Sequence, residues 1–158
     1  VGSEMCIRDR YMDLSDSESP CLYLNEAVPK LRQTLEVESK TSKPARVRDT
    51  LIHSILQGAV NEMAVFALSR AEGADVDELP VWQKKLLTSL ARKIDSGSEE
   101  AIANKWITSW VGSSETGQVL AEVTTAVQRH LNLGHSSEHL AKSVEKEIGN
   151  DEYNANYG

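Results

Sequence analysis

The chain reads as an all-α protein: a single-domain bundle of about six short-to-medium helices packed around one central helix at about residues 44–72. Three features predict it. First, at about 100° per residue, Val47, Leu51, Ile52, Ile55, Leu56, Ala59, Met63, Phe66 and Ala67 fall on one broad face of that segment, with Arg46, Thr50, His53, Gln57, Asn61 and Ala64 on a narrow opposite face. A face so wide needs partners on several sides. Second, the punctuation is helical: a Pro or Ser opens each later segment and a Gly closes it. Third, no alternation of the kind a strand needs and no repeat at a fixed period occurs.

The elements follow in order. Residues 1–10, VGSEMCIRDR, contain a Met-Cys-Ile-Arg-Asp string that resembles the one-frame translation of a transposon-end sequencing adapter. They are expected to be a disordered artefact outside the fold, with Cys6 carrying no function and the chain having an environmental origin. Residues 11–24 read as an acidic leader, disordered through MDLSDSESP and ending in the apolar cluster Cys21-Leu22-Tyr23-Leu24. The helical domain is expected over 25–149. Helix A runs from Glu26 or Pro29 to Ser39 with Leu31 and Leu35 inward. Pro44 opens the central helix B and Gly73 stops it, because a left-handed terminal residue costs glycine nothing. The acidic Ala74–Leu79 stretch reads as a loop.

Pro80 opens helix C, to about Asp95, with Trp82, Leu86, Leu87, Leu90 and Ile94 on one face. Ser98 is placed to cap helix D, where Glu99 and Glu100 suit the positive end of the dipole and Ile102, Trp106, Ile107, Trp110 and Val111 form the stripe. Ser113 or Ser114 caps helix E, to about Leu133, with Val119, Leu120, Val123, Val127 and Leu131 inward. Ser136 or Ser137 caps helix F, with Leu140, Val144 and Ile148 inward, and residues 150–158 read as a flexible tail.

Composition narrows the function. With 158 residues, 40% apolar and 26% charged, the chain is an ordinary globular one. A net charge of −7 disfavours attraction of the whole molecule to nucleic acid or an anionic membrane. No uninterrupted apolar run reaches the ~18 residues of a membrane span, so no membrane partner is expected. Two cysteines, Cys6 and Cys21, make neither a disulfide framework nor a metal-binding pair, so a cytoplasmic, thiol-reducing location is expected.

Four constellations could carry chemistry. His135-Ser-Ser-Glu138-His139 resembles the H-x-x-E-H pattern of the inverted zinc peptidases. That resemblance implies His135 and His139 as zinc ligands and Glu138 as general base. It covers five residues only. Gly134 places His135 outside a helix, and 19 residues after His139 leave no room for the family's distant third ligand. Exposed histidines at a helix start are the preferred reading, and no metal or cofactor is assigned. Glu62 falls at the edge of the apolar face of helix B beside Gly58, a buried-carboxylate candidate for an ion pair or an acid–base group. Lys30, Arg32, Lys40, Lys43, Arg46 and Arg48 set six cations against Glu36 and Glu38 at the A–B corner, the candidate contact for an anion or nucleic acid. Trp106 and Trp110, one turn apart, read as core first and as an interaction pair second.

No phosphate loop, nucleophile elbow or catalytic thiol pairing is present. The expectation is therefore a non-enzymatic helical protein-interaction or assembly module, binding another protein or itself. A nucleic-acid-associated accessory or regulatory protein using residues 30–48 is the alternative, and a metal-dependent hydrolase is the remote one.

Overall fold

The computed structural model describes residues 10–16, 18–112 and 114–132. The protein is mostly helical, as its pattern predicts: five α-helices and one small two-stranded sheet are found among the described residues. Strand β1 is Arg10–Asp13 and β2 is Cys21–Leu24. The helices are α1 Leu31–Leu35, α2 Lys43–Ala71, α3 Val81–Ala91, α4 Glu99–Trp110 and α5 Thr116–His130. The expected helix F lies outside the described residues, which carry five α-helices.

The segment read as a disordered leader is an antiparallel hairpin. Arg10 pairs with Leu24, Tyr11 with Tyr23, Met12 with Leu22 and Asp13 with Cys21. Arg10, assigned to the artefact stretch, belongs to β1, and its guanidinium lies where a side chain on Gly58 of α2 would stand. Helix A is also shorter than expected. Lys30 sits in the left-handed region at φ 63° and only the five residues Leu31–Leu35 are helical. Its N-cap residue, Lys30, makes no side-chain capping bond.

Helix α2 begins as predicted. Ser42 caps it, its hydroxyl accepting the Ala45 N–H at 3.3 Å, and Pro44 occupies the first turn. It ends through Glu72 at φ 49° and Gly73 at φ 82°, the left-handed stop expected at that glycine. The acidic stretch that follows is not a free loop. A 3-10 turn, Val76–Glu78, is held by Asn104 of α4, whose Oδ1 accepts the Val76 N–H at 2.8 Å and whose amide nitrogen donates to Asp75 at 3.2 Å. This drives the Val76 side chain fully into the core.

The core is a four-helix contact in which α2, α3, α4 and α5 each touch the other three. It buries Leu68, Leu87, Leu90, Trp106, Ile107, Val123 and Val127 completely. Ser98 stands at the N-cap of α4 without making a capping bond. Glu99 substitutes, accepting the Gly97 N–H at 2.8 Å and pairing with Arg92 at 3.2 Å. Val111 and Leu120, expected inward, are exposed at 57% and 45%. Val111 falls one residue past the end of α4, where the backbone is extended. Leu120 lies on the solvent side of the row formed by Val119, Val123 and Val127.

The central helix is used on different faces along its length. In its C-terminal half Ala64, Ala67, Leu68 and Ala71 enter the core. Ala64, which the pattern put on the polar side, is therefore buried. Continued toward the N-terminus at three- and four-residue steps, that bundle-facing row reads Val60, Gln57, His53, Asp49, Arg46. A row so polar has no place in a core, and the four-helix contact ends there. The N-terminal half turns a different side, with Ala45, Ile55 and Ala59 buried, to α1 and β1. Val47 and Leu56, expected inward, are 56% and 37% exposed. By length and composition α2 would also suffice to cross a membrane, and its most apolar 18-residue window has mean hydropathy 1.3 with 28% of its residues buried.

Candidate interaction surface

Two pieces of local chemistry build the surface. The first is the turn that joins β1 to β2. The Asp13 carboxylate accepts from the Ser15 hydroxyl at 2.6 Å and from the Ser15 N–H at 3.0 Å, and Asp16 accepts the Glu18 N–H at 2.8 Å. The Ser15 bonds favour the charged form and hold the Asp13 carboxyl below its usual range. So the acid-and-serine run that reads as a disordered leader supplies turn chemistry instead.

The second is the strand pair itself. Met12 of β1 is buried, whereas all four residues of β2 are exposed. Tyr11 and Tyr23 face each other across the strands, ring centroids 6.2 Å apart and 32° between planes. Nine large apolar side chains are exposed among the described residues: four of them, Tyr11, Leu22, Tyr23 and Leu24, lie on the hairpin, and two, Val47 and Leu56, lie on the N-terminal half of α2.

Between the hairpin and the start of the bundle runs an open cleft of about 640 Å³, lined by Tyr11, Met12, Phe66, Arg70, Leu79 and Gln83 among others. Phe66 stacks on Trp82 at 6.1 Å with 20° between planes, and the Arg70 guanidinium lies over the Phe66 ring, 5.4 Å from its centroid. Gln83 is the buried polar residue of the core. Its Oε1 and the neighbouring Trp82 Nε1 are enclosed without a hydrogen-bond partner.

The residues singled out in the sequence are dispersed. Glu62 is exposed on α2, not buried, and has no part in a buried ion pair. Trp106 is fully buried, its Nε1 donating to Glu122 of α5 at 2.8 Å; Trp110 is half-buried and donates to Ser69 of α2 at 3.1 Å. Both are thus tied into the fold rather than displayed as a pair. The Trp106 N–H, with Lys105 3.7 Å away, holds the Glu122 carboxyl below its usual range against the opposing effect of burial.

At the basic corner, Arg48 has only 16% of its side chain exposed. It donates to the Val37 carbonyl, to the Ser39 carbonyl at 3.0 Å, and pairs with Asp49 at 2.7 Å. Arg32 is bound by Glu36 at 2.7 Å and by Glu26 at 3.8 Å. Lys30, Lys40 and Lys43 are exposed and Arg46 is half-buried. Of the six cations, Arg48 therefore ties α2 to the α1–α2 connection, and Arg32 pairs with the acids that flank α1. His135, Glu138 and His139 lie outside the described residues. Among the described residues no group of three or more His, Cys, Asp or Glu side chains could hold a metal ion.

The hairpin and Gln83 escaped the sequence reading. A signal for the former existed: CLYL follows Ser-Glu-Ser-Pro, a turn-forming run ahead of β-prone residues. In comparisons with known proteins, no family model, no curated protein and no solved structure matches this chain.

Proposed function

We propose that this protein is a non-enzymatic helical interaction or assembly module whose contact surface is the hairpin with the adjoining half of α2. The observation that carries this reading is the mismatch between apolarity and cover. Only 28% of the residues in the apolar 18-residue window of α2 are fully buried, and among the described residues six of the nine exposed large apolar side chains lie on the hairpin or on the N-terminal half of α2. The four-helix end needs none of these side chains for its core, so they are free to serve a contact. The basic corner offers less to a partner, since Arg48 and Arg32 are spent on Val37, Ser39, Glu36 and Glu26.

The test is the combined variant Leu22→Gln, Tyr23→Ser, Leu24→Gln, followed by thermal melting and by fluorescence of a dye that lights up on exposed apolar surface. A contact surface predicts an unchanged melting temperature and a loss of dye binding. A melting temperature lowered as for a core substitution would show that these side chains maintain the fold, and would overturn the reading.

A further inference from the structure

The inference concerns the partner of that surface and rests on the reading just given. We infer that the free edge of β2 pairs with the β2 edge of a second copy, joining two hairpins into a four-stranded antiparallel sheet through a weak, reversible dimer.

Strand β2 has the composition of a strand covered on both faces but is incompletely covered on either. Cys21 and Tyr23 occupy one face and Leu22 and Leu24 the other, with no charge among them, yet all four are exposed. Its sole strand neighbour among the described residues is β1, so one row of backbone donors and acceptors faces outward. Proteins blunt such edges with Lys, Pro or an inward charge, and none stands within Cys21–Leu24. A two-stranded sheet is also marginal by itself, and two further strands supply what it lacks.

The occupant is a copy of the same strand because the edge is complementary to itself. In antiparallel pairing, residues directly opposite share a face, so a two-fold axis perpendicular to the sheet must pass beside a residue that meets its own copy. With Tyr23 on the axis, Leu22 lies opposite Leu24 of the second copy, and Cys21 lies opposite Asn25. Glu26 then falls beside Pro20, so no like charges oppose one another across the joint in a chain of net charge −7. Each Tyr11–Tyr23 pair extends into a row of four rings on the outer face, and the leucines close over the helix side. Strand β1 is the poorer edge: it carries Arg10 and Asp13, and Met12 is already committed to the interior.

The area sets the strength. Tyr23, Leu22 and Leu24 are 55%, 37% and 39% exposed, which at roughly 200 Å² per large side chain is about 250 Å² per copy. The total of about 500 Å² is below the ~1,000 Å² of a lasting interface, so the dimer forms only at high protein concentration.

The experiment traps the joint in the full chain. In a Cys6→Ser, Cys21→Ser background, Tyr23→Cys sets two thiols directly opposite, within disulfide reach, whereas Leu22→Cys leaves its copies offset by two residues, beyond the ~7 Å limit between Cα atoms. Mild oxidation is expected to give a disulfide-linked dimer from the Tyr23→Cys protein in several-fold excess over the Leu22→Cys protein, both with unchanged helix content. Light scattering of the unsubstituted chain should show apparent mass rising toward twofold with concentration. Equal linking at both positions, linking at Leu22→Cys alone, or a monomer at every concentration overturns the inference. Those outcomes differ from the failure of the broader reading, which is signalled by loss of fold in the polar hairpin variant.

Discussion

Replacing Trp106 by Phe tests the join between α4 and α5. Trp106 is fully buried, and its Nε1 donates to Glu122 at 2.8 Å. The substitution removes the second ring and the donor together. Trimming about a third of a buried aromatic side chain, whose full deletion costs roughly 3–5 kcal/mol, accounts for about 1–2 kcal/mol. A hydrogen bond to a charged acceptor adds ~1.5–3 kcal/mol, taken at its lower end because Glu122 keeps 28% of its side chain in water and retains Lys105 and Gln118. The expected loss is about 2.5–4 kcal/mol at neutral pH, a fall of roughly 5–15 °C in melting temperature for a domain of this size. The penalty must also depend on pH. The Glu122 carboxyl lies below its usual range in the folded protein, chiefly through the indole N–H. Its contribution is therefore complete above the unfolded-state value of about 4.3 and is lost as pH falls through the folded value. Urea melts of both proteins at neutral pH and near pH 3 should show the penalty shrinking on acidification. A loss below ~1 kcal/mol at neutral pH, or a penalty that does not change with pH, would refute this account of the join.

Three further outcomes check other parts of the structure. Leu68→Ala, at a fully buried position where α2 meets the bundle, should cost about 2–5 kcal/mol by urea melting, with the slope unchanged. Arg48→Met should cost roughly 1.5–3 kcal/mol because the guanidinium holds the Val37 and Ser39 carbonyls, while Lys40→Met, at the same corner but exposed, should stay within about 0.5 kcal/mol; equal effects would contradict the division of that corner into structural and surface cations. Glu62→Gln should leave stability within about 0.5 kcal/mol across pH 5–8, and a larger change would restore the buried carboxylate that the sequence suggests.

Helix positions were legible in the chain because their signals are local. Ser42 and Pro44 ahead of an apolar run start α2, Gly73 ends it, and the core residues Leu87, Leu90, Ile107, Val119, Val123 and Val127 follow from helical spacing alone. The candidate surface was less legible. Strand pairing between Arg10–Asp13 and Cys21–Leu24 depends on two segments of four residues meeting, and four residues are too few to display alternation. The turn between them is held by Asp and Ser side chains, the same residue types that lower hydropathy and suggest disorder.

What the sequence by itself determined is the start and end of α2, the places of α3, α4 and α5, and the mostly helical class. What only the tertiary structure decided is which side of α2 is covered where. A wheel averages over the whole helix and assigns it one apolar face, placing Glu62 at its edge and Ala64 on the far side. The folded chain divides the helix: α3, α4 and α5 cover the Ala64, Ala67, Leu68 and Ala71 side of one half, and α1 and β1 cover the Ala45, Ile55 and Ala59 side of the other. The physical reason is that burial is set by contacts distant in the chain. An apolar position such as Val47 or Leu56 stays exposed where no other element reaches it, and a small residue such as Ala64 is buried where three others converge.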